Sequence, residues 1–169
     1  SVDFDNSNLV IGDYAFNGCI GFVNLDLGNN ATSIGAYAFQ GCTSMTIISI
    51  PNTISYVGGY AFSNTPWLEA QGDFAVYGDF LLAYQGDDAD VEIPETVRVV
   101  CDGAFDSTFV ESVHIPDSVT DIESYAFSYA ENLLTVTGSA NVQYVGYGSF
   151  DETMLWSNSP TDSTVRAGT

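Results

Sequence analysis

Apolar and polar positions along this chain repeat in a short phrase at nearly constant distance. Ile11-Gly12-Asp13-Tyr14-Ala15-Phe16-Asn17-Gly18-Cys19 is followed by Ile34-Gly35-Ala36-Tyr37-Ala38-Phe39-Gln40-Gly41-Cys42, and then by Val57-Gly58-Gly59-Tyr60-Ala61-Phe62-Ser63-Asn64-Thr65. Each phenylalanine falls 23 residues after the one before it. The series resumes at Phe105, Phe127 and Phe150, with steps of 43, 22 and 23 residues. A fixed period of this length marks a repeat architecture in which each unit is one turn of a stack.

A second phrase sits at a constant offset. Ile48-Ser49-Ile50-Pro51, Val91-Glu92-Ile93-Pro94 and Val113-His114-Ile115-Pro116 each place proline 11 residues before the matching phenylalanine, and Val2-Asp3-Phe4-Asp5 and Leu25-Asp26-Leu27-Gly28 occupy the same slot. Apolar, polar, apolar alternation predicts a short half-buried strand, and proline, which cannot donate to a ladder, ends it. Branched pairs three residues apart, such as Ile54 and Val57, Val97 and Val100, Val119 and Ile122, Val142 and Val145, predict the return path. No unit of about 23 residues can bury its own apolar edge, so units must stack into parallel sheets around a shared core. The expectation is a solenoid of about six turns, mostly short parallel strands with little helix, with Phe16, Phe39, Phe62, Phe105, Phe127 and Phe150 in one interior file.

The long step carries an extra segment at about 73–85, Asp73 to Gln85, whose two β-rich halves flank Gly78-Asp79 and predict an inserted hairpin. Apolar periodicity runs through 1–156, read as a single domain. Residues 157–169 turn to Ser, Thr, Pro and Gly, the composition of a linker or frayed cap, as expected of a module cut from a longer multidomain chain.

Composition narrows the chemistry. With 46% hydrophobic and 14% aromatic residues, the 169-residue chain has material for a folded core. Two basic residues, Arg98 and Arg166, stand against 22 acidic ones, for a formal charge of −20. That sign opposes phosphate backbones and anionic lipid, so no nucleic-acid partner is expected. Without lysine there is no Schiff base and no P-loop. No apolar run approaches the roughly 18 residues of a membrane span, so no membrane insertion is expected.

Catalytic and metal readings are thin. Cys19, Cys42 and Cys101 have no zinc-ligand spacing, and a single histidine, His114, cannot complete a Cys/His site. Cys19 and Cys42 fall one turn apart, within disulfide reach, although buried free thiols are the favoured reading. Cys101 and His114 occupy different slots of neighbouring turns and make a poor nucleophile and base. Asp87, Asp88, Asp90 and Glu92, and likewise Asp3-Phe4-Asp5-Asn6-Ser7, lack the glycine and terminal glutamate of an EF-type calcium loop. No carboxylate pair is singled out for glycoside hydrolysis. No cofactor and no metal are expected.

The phrase Ile-x-Ile-Pro-x-x-Val-x-x-Ile-x-x-x-Ala-Phe-x-x-Cys, seen in 48–65 and 113–130, resembles the BspA-like class of leucine-rich repeats over roughly residues 1–156. Departures are local: Gly28 and Ser139 stand for proline, Cys101 and Glu123 for glycine, and only Cys19 and Cys42 keep the cysteine. The resemblance implies a leucine-rich-repeat solenoid, conventionally placed in the α/β class, coiled as a right-handed curved superhelix. It also implies an extracellular or cell-surface bacterial or protist protein serving adhesion or protein interaction, with no catalytic residues to carry over.

In such a solenoid the outward strand positions Asp3, Asp26, Ser49, Glu92, His114 and Thr137 form a row across the sheet, and they are the candidate binding residues. Their negative balance predicts a cationic protein partner. The alternative is a carbohydrate-recognition or spacer module, in which some of the ten tyrosines and Trp67 or Trp156 serve as sugar platforms.

Overall fold

The computed structural model describes the backbone of Val2–Asp3 and of residues 8–157, and side chains from 8 to 155. The expected linker at 157–169 therefore lies almost wholly outside the described residues, as do the Asp3 and Trp156 side chains and the Phe4-to-Ser7 segment. The chain divides into two compact units, Ser1–Gly78 and Asp79–Thr169. The division runs through the Gly78-Asp79 turn that the sequence places between two β-rich halves.

In the first unit the strands are β1 (Val2–Asp3), β2 (Leu9–Ile11), β3 (Asn24–Asp26), β4 (Ala31–Ile34), β5 (Ile47–Ser49) and β6 (Tyr56–Val57), followed by a one-turn helix α1 (Pro66–Glu69) and β7 (Phe74–Tyr77). Each coil contributes one strand to each of two parallel sheets, β1-β3-β5 and β2-β4-β6. Register follows the repeat: Leu25 pairs with Ile48, Asp26 with Ser49, and Ile34 with Val57. Between the sheets Leu25, Leu27, Ile34, Phe39, Met45 and Phe62 are buried. α1 begins where Thr65 accepts the Leu68 amide at 3.2 Å and Pro66, which lacks an N–H, occupies the first turn. It brings Trp67 edge-on to Phe62 at 5.0 Å.

The second unit repeats the plan with β8 (Phe80–Tyr84), β9 (Asp90–Glu92), β10 (Val99–Val100), β11 (Ser112–Ile115), β12 (Asp121–Ile122), β13 (Thr135–Gly138), β14 (Tyr144–Val145) and a terminal turn α2 (Met154–Ser157). β9-β11-β13 form the parallel front sheet, and β8, β10, β12 and β14 follow one another along the return path. β9 and β11 stop just before or at the residue preceding proline, as an absent donor requires.

The phenylalanines stack in file within each unit. Phe16, Phe39 and Phe62 lie 5.3 and 5.6 Å apart with rings parallel to 4°, and Phe105, Phe127 and Phe150 lie 4.7 and 5.1 Å apart. The long step holds a finding the period did not reveal. Phe80 and Leu81 pair in register with Val99 and Val100, and the Tyr84 ring stacks on Phe105 at 5.2 Å. The second strand of the extra segment thus supplies a return-path strand, and a tyrosine continues the aromatic file.

Each phenylalanine is bracketed by left-handed residues two before and two after it: Tyr14 and Gly18, Tyr37 and Gly41, Tyr60 and Asn64, Gly103 and Ser107, Tyr125 and Tyr129, Gly148 and Glu152, with φ from 55° to 70°. The double reversal turns each coil around its buried ring. Residues with a Cβ pay a steric penalty there that glycine avoids. Glu152 is exposed at φ 55°. Glu152→Gly is therefore expected to melt about 1 to 3 °C above Glu152→Ala, which removes the same charge and keeps the strain. Equal melting temperatures would show that the slot carries no cost.

Candidate functional site

Alternation along the front strands turns apolar side chains inward and the row positions outward. Leu25 and Val113 are buried at 2% and 1% exposure, while Asp26, Ser49, Glu92, His114 and Thr137 are exposed. In the first unit Asp3, Asp26 and Ser49 are successive backbone partners, the side chain of Asp3 lying outside the described residues. In the second unit Glu92, His114 and Thr137 are successive partners. The six sequence-predicted positions therefore form two three-residue rows, one in each unit. His114 Nδ1 and Thr137 Oγ1 lie 3.1 Å apart, which ties the imidazole to the next strand. At the start of the same strands Ser112 Oγ donates to Asp90 Oδ1 at 2.5 Å, using one carboxylate of the acidic run before β9.

Ion pairing among the described residues is confined to the return path. Arg98 is the single Lys or Arg among the described residues. Its Nε donates to Asp79 Oδ2 at 2.6 Å and its Nη1 to Asp121 Oδ2 at 3.3 Å, with the guanidinium 5.9 Å from the Phe80 ring centre. One cation thus ties three consecutive levels of the return path. Half-exposed pairs of this kind contribute little stability each, but they leave no lysine or arginine among the described residues to offset the front rows.

Return-path carboxyls Asp102 and Glu123 sit above their ordinary values. Burial is the first cause in both, followed by the negative charge of Asp106 for Asp102, and of Asp121 and Asp102 for Glu123. A carboxyl raised in the folded state holds its proton more tightly there than when unfolded. Its contribution therefore favours folding at low pH and is lost as pH rises from the ordinary values of 3.8 and 4.5 through the raised folded ones. Self-repulsion at −20 acts in the same direction. The urea midpoint is accordingly expected to be higher at about pH 4 than at about pH 7, and Asp102→Asn with Glu123→Gln should flatten that difference. A midpoint that rises with pH over this range would contradict the assignment.

All three cysteines are free thiols. Cys42 donates to the Phe16 carbonyl at 3.2 Å. The same slot in other coils holds Thr65, Thr108 and Thr153, whose hydroxyls bond the carbonyls of Phe62, Phe105 and Phe150. Each threonine thus closes its own coil, whereas Cys42 bonds the coil before it; both serve as small hydrogen-bond donors. Burial pushes the Cys42 and Cys101 thiols up, and acidic neighbours led by Glu123 push Cys101 further, so both stand as neutral thiols. Cys101 is buried behind the return path whereas His114 faces outward on the front strands, so the fold does not bring this pair together.

Half of the ten tyrosines pack on one another. Tyr14, Tyr37 and Tyr60 stack at 4.8 and 5.2 Å with rings within 11° of parallel, and Tyr125 meets Tyr147 edge-on at 5.7 Å. Stacking covers both faces of Tyr37, the surface a sugar ring would need, and Trp67 is half-buried against Phe62 and Tyr77. Sequence reasoning missed a different feature: an open cleft of about 300 Å³ in the second unit, lined by Ser107, Thr108, Phe109, Tyr129, Glu131 and Asn132. Phe109 and Tyr129 fall outside the repeating apolar slots, and an aromatic residue at each of two successive coil corners was the only available signal. Among the described residues no group of three or more His, Cys, Asp or Glu side chains is placed to hold a metal, and no helix is long and apolar enough to cross a membrane.

Three solved structures are similar to this chain. A leucine rich cell surface protein from Faecalibacterium prausnitzii A2-165 is 20% identical over 83% of this chain and 48% of its own, with a TM-score of 0.48. The T. pallidum Leucine Rich Repeat protein is 24% identical over 85% and 69%, with a TM-score of 0.46, and a leucine-rich repeat protein from Bacteroides ovatus ATCC 8483 is 20% identical over 86% and 45%, with a TM-score of 0.37. The chain spans about half the length of the first of these. No curated protein matches it. The BspA type leucine rich repeat region matches six times, over residues 1–71 and 87–166. With the repeat phrase, the stacked coils and this match in agreement, the chain belongs to the BspA-type leucine-rich repeat family.

Proposed function

We propose that this repeat chain is a non-enzymatic interaction or adhesion module, acting outside the cell or at its surface as part of a longer protein, and that its outward strand rows recognise a cationic protein surface. The observation that carries this reading is the register of Asp3, Asp26 and Ser49 in one unit and of Glu92, His114 and Thr137 in the other. Side chains one strand apart on a rigid parallel sheet lie at a fixed spacing of about 4.8 Å, which suits an extended surface better than a small substrate. Their acidity sits on a chain with a formal charge of −20, which speeds encounter with positive partners and repels negative ones. The neutral, buried thiols support a non-catalytic reading. The setting outside the cell rests on the family resemblance.

The test is binding of a fluorescein-labelled arginine-rich peptide to the full chain, followed by anisotropy. Asp26→Asn with Glu92→Gln is expected to weaken binding at least about threefold. A control pair away from the rows, Glu69→Gln with Glu95→Gln, removes the same charge and should change it less. Equal losses from both pairs would replace the row with diffuse charge. Binding of neutral oligosaccharides in preference to the peptide would turn the assignment to the glycan alternative.

A further inference from the structure

The cleft at the corners preceding β11 and β13 has a shape and chemistry that the strand rows do not explain. Its walls come from consecutive coils, Ser107 to Phe109 and Tyr129 to Asn132, and it measures about 300 Å³. Phe109 is 76% exposed and Tyr129 55% exposed. Neither ring stacks on another among the described residues, in contrast to the Tyr14-Tyr37-Tyr60 ladder. Tyr129 occupies the left-handed slot that follows Phe127, at φ 55°.

The frame beneath is fixed. The Ser107 amide donates to the Ser128 carbonyl at 3.1 Å and the Tyr129 amide to the Asp151 carbonyl at 3.0 Å, while Thr108 Oγ1 donates to the Phe105 carbonyl at 2.8 Å. Phe105 and Phe127 stack at 4.7 Å under these corners. Two exposed aromatic rings on a rigid floor therefore stand beside the Glu131 carboxylate, and no basic residue lines the site.

We propose that this cleft seats a cationic side chain, arginine or lysine, of a basic peptide segment. A guanidinium or ammonium is attracted by the ring faces within about 6 Å of their centres, and a carboxylate at the rim adds a charge-assisted hydrogen bond. An anion would meet Glu131 and a surface of the same sign. A neutral sugar would use the rings and Asn132 and gain nothing from the field of the chain. The corners lead through Val110-Glu111 and Leu133-Leu134 into β11 and β13, so one extended segment can lie along the Glu92-His114-Thr137 row with a side chain in the cleft. The inference rests on the cationic-partner reading above and adds the pocket that gives it specificity.

The experiment uses the full chain and the same labelled arginine-rich peptide at fixed ionic strength, beside a peptide in which citrulline replaces arginine. Phe109→Ala and Glu131→Gln are each expected to weaken arginine-peptide binding about tenfold, and the citrulline peptide should bind equally poorly to the parent and both variants. Both side chains are exposed, so the far-ultraviolet spectrum and melting temperature should not move. If the row variants Asp26→Asn with Glu92→Gln weaken binding while the cleft variants do not, the cleft assignment falls and the row stands. If the cleft variants weaken it and the row variants do not, the cleft stands and the row falls. If the parent chain ignores the arginine peptide, both fall. Should Phe109→Ala instead abolish binding to an oligosaccharide, the cleft belongs to a sugar and the cationic occupant is overturned.

Discussion

Phe127→Ala should lower the unfolding free energy of the second unit by about 3 to 5 kcal/mol, the range for removing a large buried aromatic side chain. Phe127 is completely buried, with Phe105 stacked on one face at 4.7 Å and Phe150 on the other at 5.1 Å. Truncation removes ring burial of roughly 1.5 to 3 kcal/mol and both aromatic contacts. The void lies between coils whose backbones are hydrogen-bonded on both sides, from Phe105 to Ala126 and from Phe127 to Ser149, so they cannot collapse to fill it. Such a loss is comparable with the whole margin of a marginal domain, about 5 to 15 kcal/mol. Because stability in a stack is a sum of coil and interface contributions, the loss should also uncouple the coils beyond it. Phe150→Ala, at a half-buried ring stacked on Phe127 alone among the described rings, should cost less. Urea unfolding followed by far- and near-ultraviolet dichroism checks both the ranking and the uncoupling. Equal losses for Phe127 and Phe150 would mean that the file does not act as a column.

How far such a column can be read in advance depends on what repeats. The phenylalanine file, the strand register and the outward rows follow from residues whose spacing is set by one coil, because parallel stacking converts a constant period into a constant neighbour. Asp26 beside Ser49, and His114 beside Glu92 and Thr137, are therefore legible from the sequence. Tyr84 was not, because a tyrosine 21 residues before Phe105, outside any Ala-Phe phrase, lacks the mark that identifies the slot. The paired left-handed residues were hidden for another reason: tyrosine, glycine, asparagine, serine and glutamate share the backbone angle without sharing a side-chain property. The cleft was invisible because the slots that hold Phe109, Tyr129 and Glu131 carry no repeating side chain, and only the stacked backbone brings these three together.

Gly58→Ala should destabilise the first unit by about 1 to 3 kcal/mol, the cost of forcing added volume into a packed contact, although alanine is the smallest side chain that could be added. Gly58 sits where one coil rests on the one below, its amide donating to the Ile34 carbonyl at 2.8 Å. A Cβ there would press against the backbone nitrogen of Ala36 and lie 2.8 Å from both the Ala36 Cα and the Gly35 carbonyl carbon. Backbone atoms held by neighbouring hydrogen bonds cannot swing aside as a side-chain tip can, so the coils must separate. Gly35 faces the same obstruction from Gly12 and Asp13, whereas Gly12 meets nothing within 4 Å. Gly12→Ala, in the same slot of the repeat, should therefore be neutral or slightly stabilising, since it removes unfolded-state freedom at no steric cost. Cys101 and Glu123 show that the slot tolerates a side chain when the coil is built around it, for their amides make the same bonds to Leu81 and Val100 at 3.0 and 2.9 Å. At Gly58 the neighbouring backbone lies well inside van der Waals distance of the position the Cβ would take. Thermal and urea denaturation of the two alanine variants decides the matter: a loss at position 58 with none at position 12 places the constraint in coil-to-coil contact, and equal losses at both would place it in the glycine backbone itself.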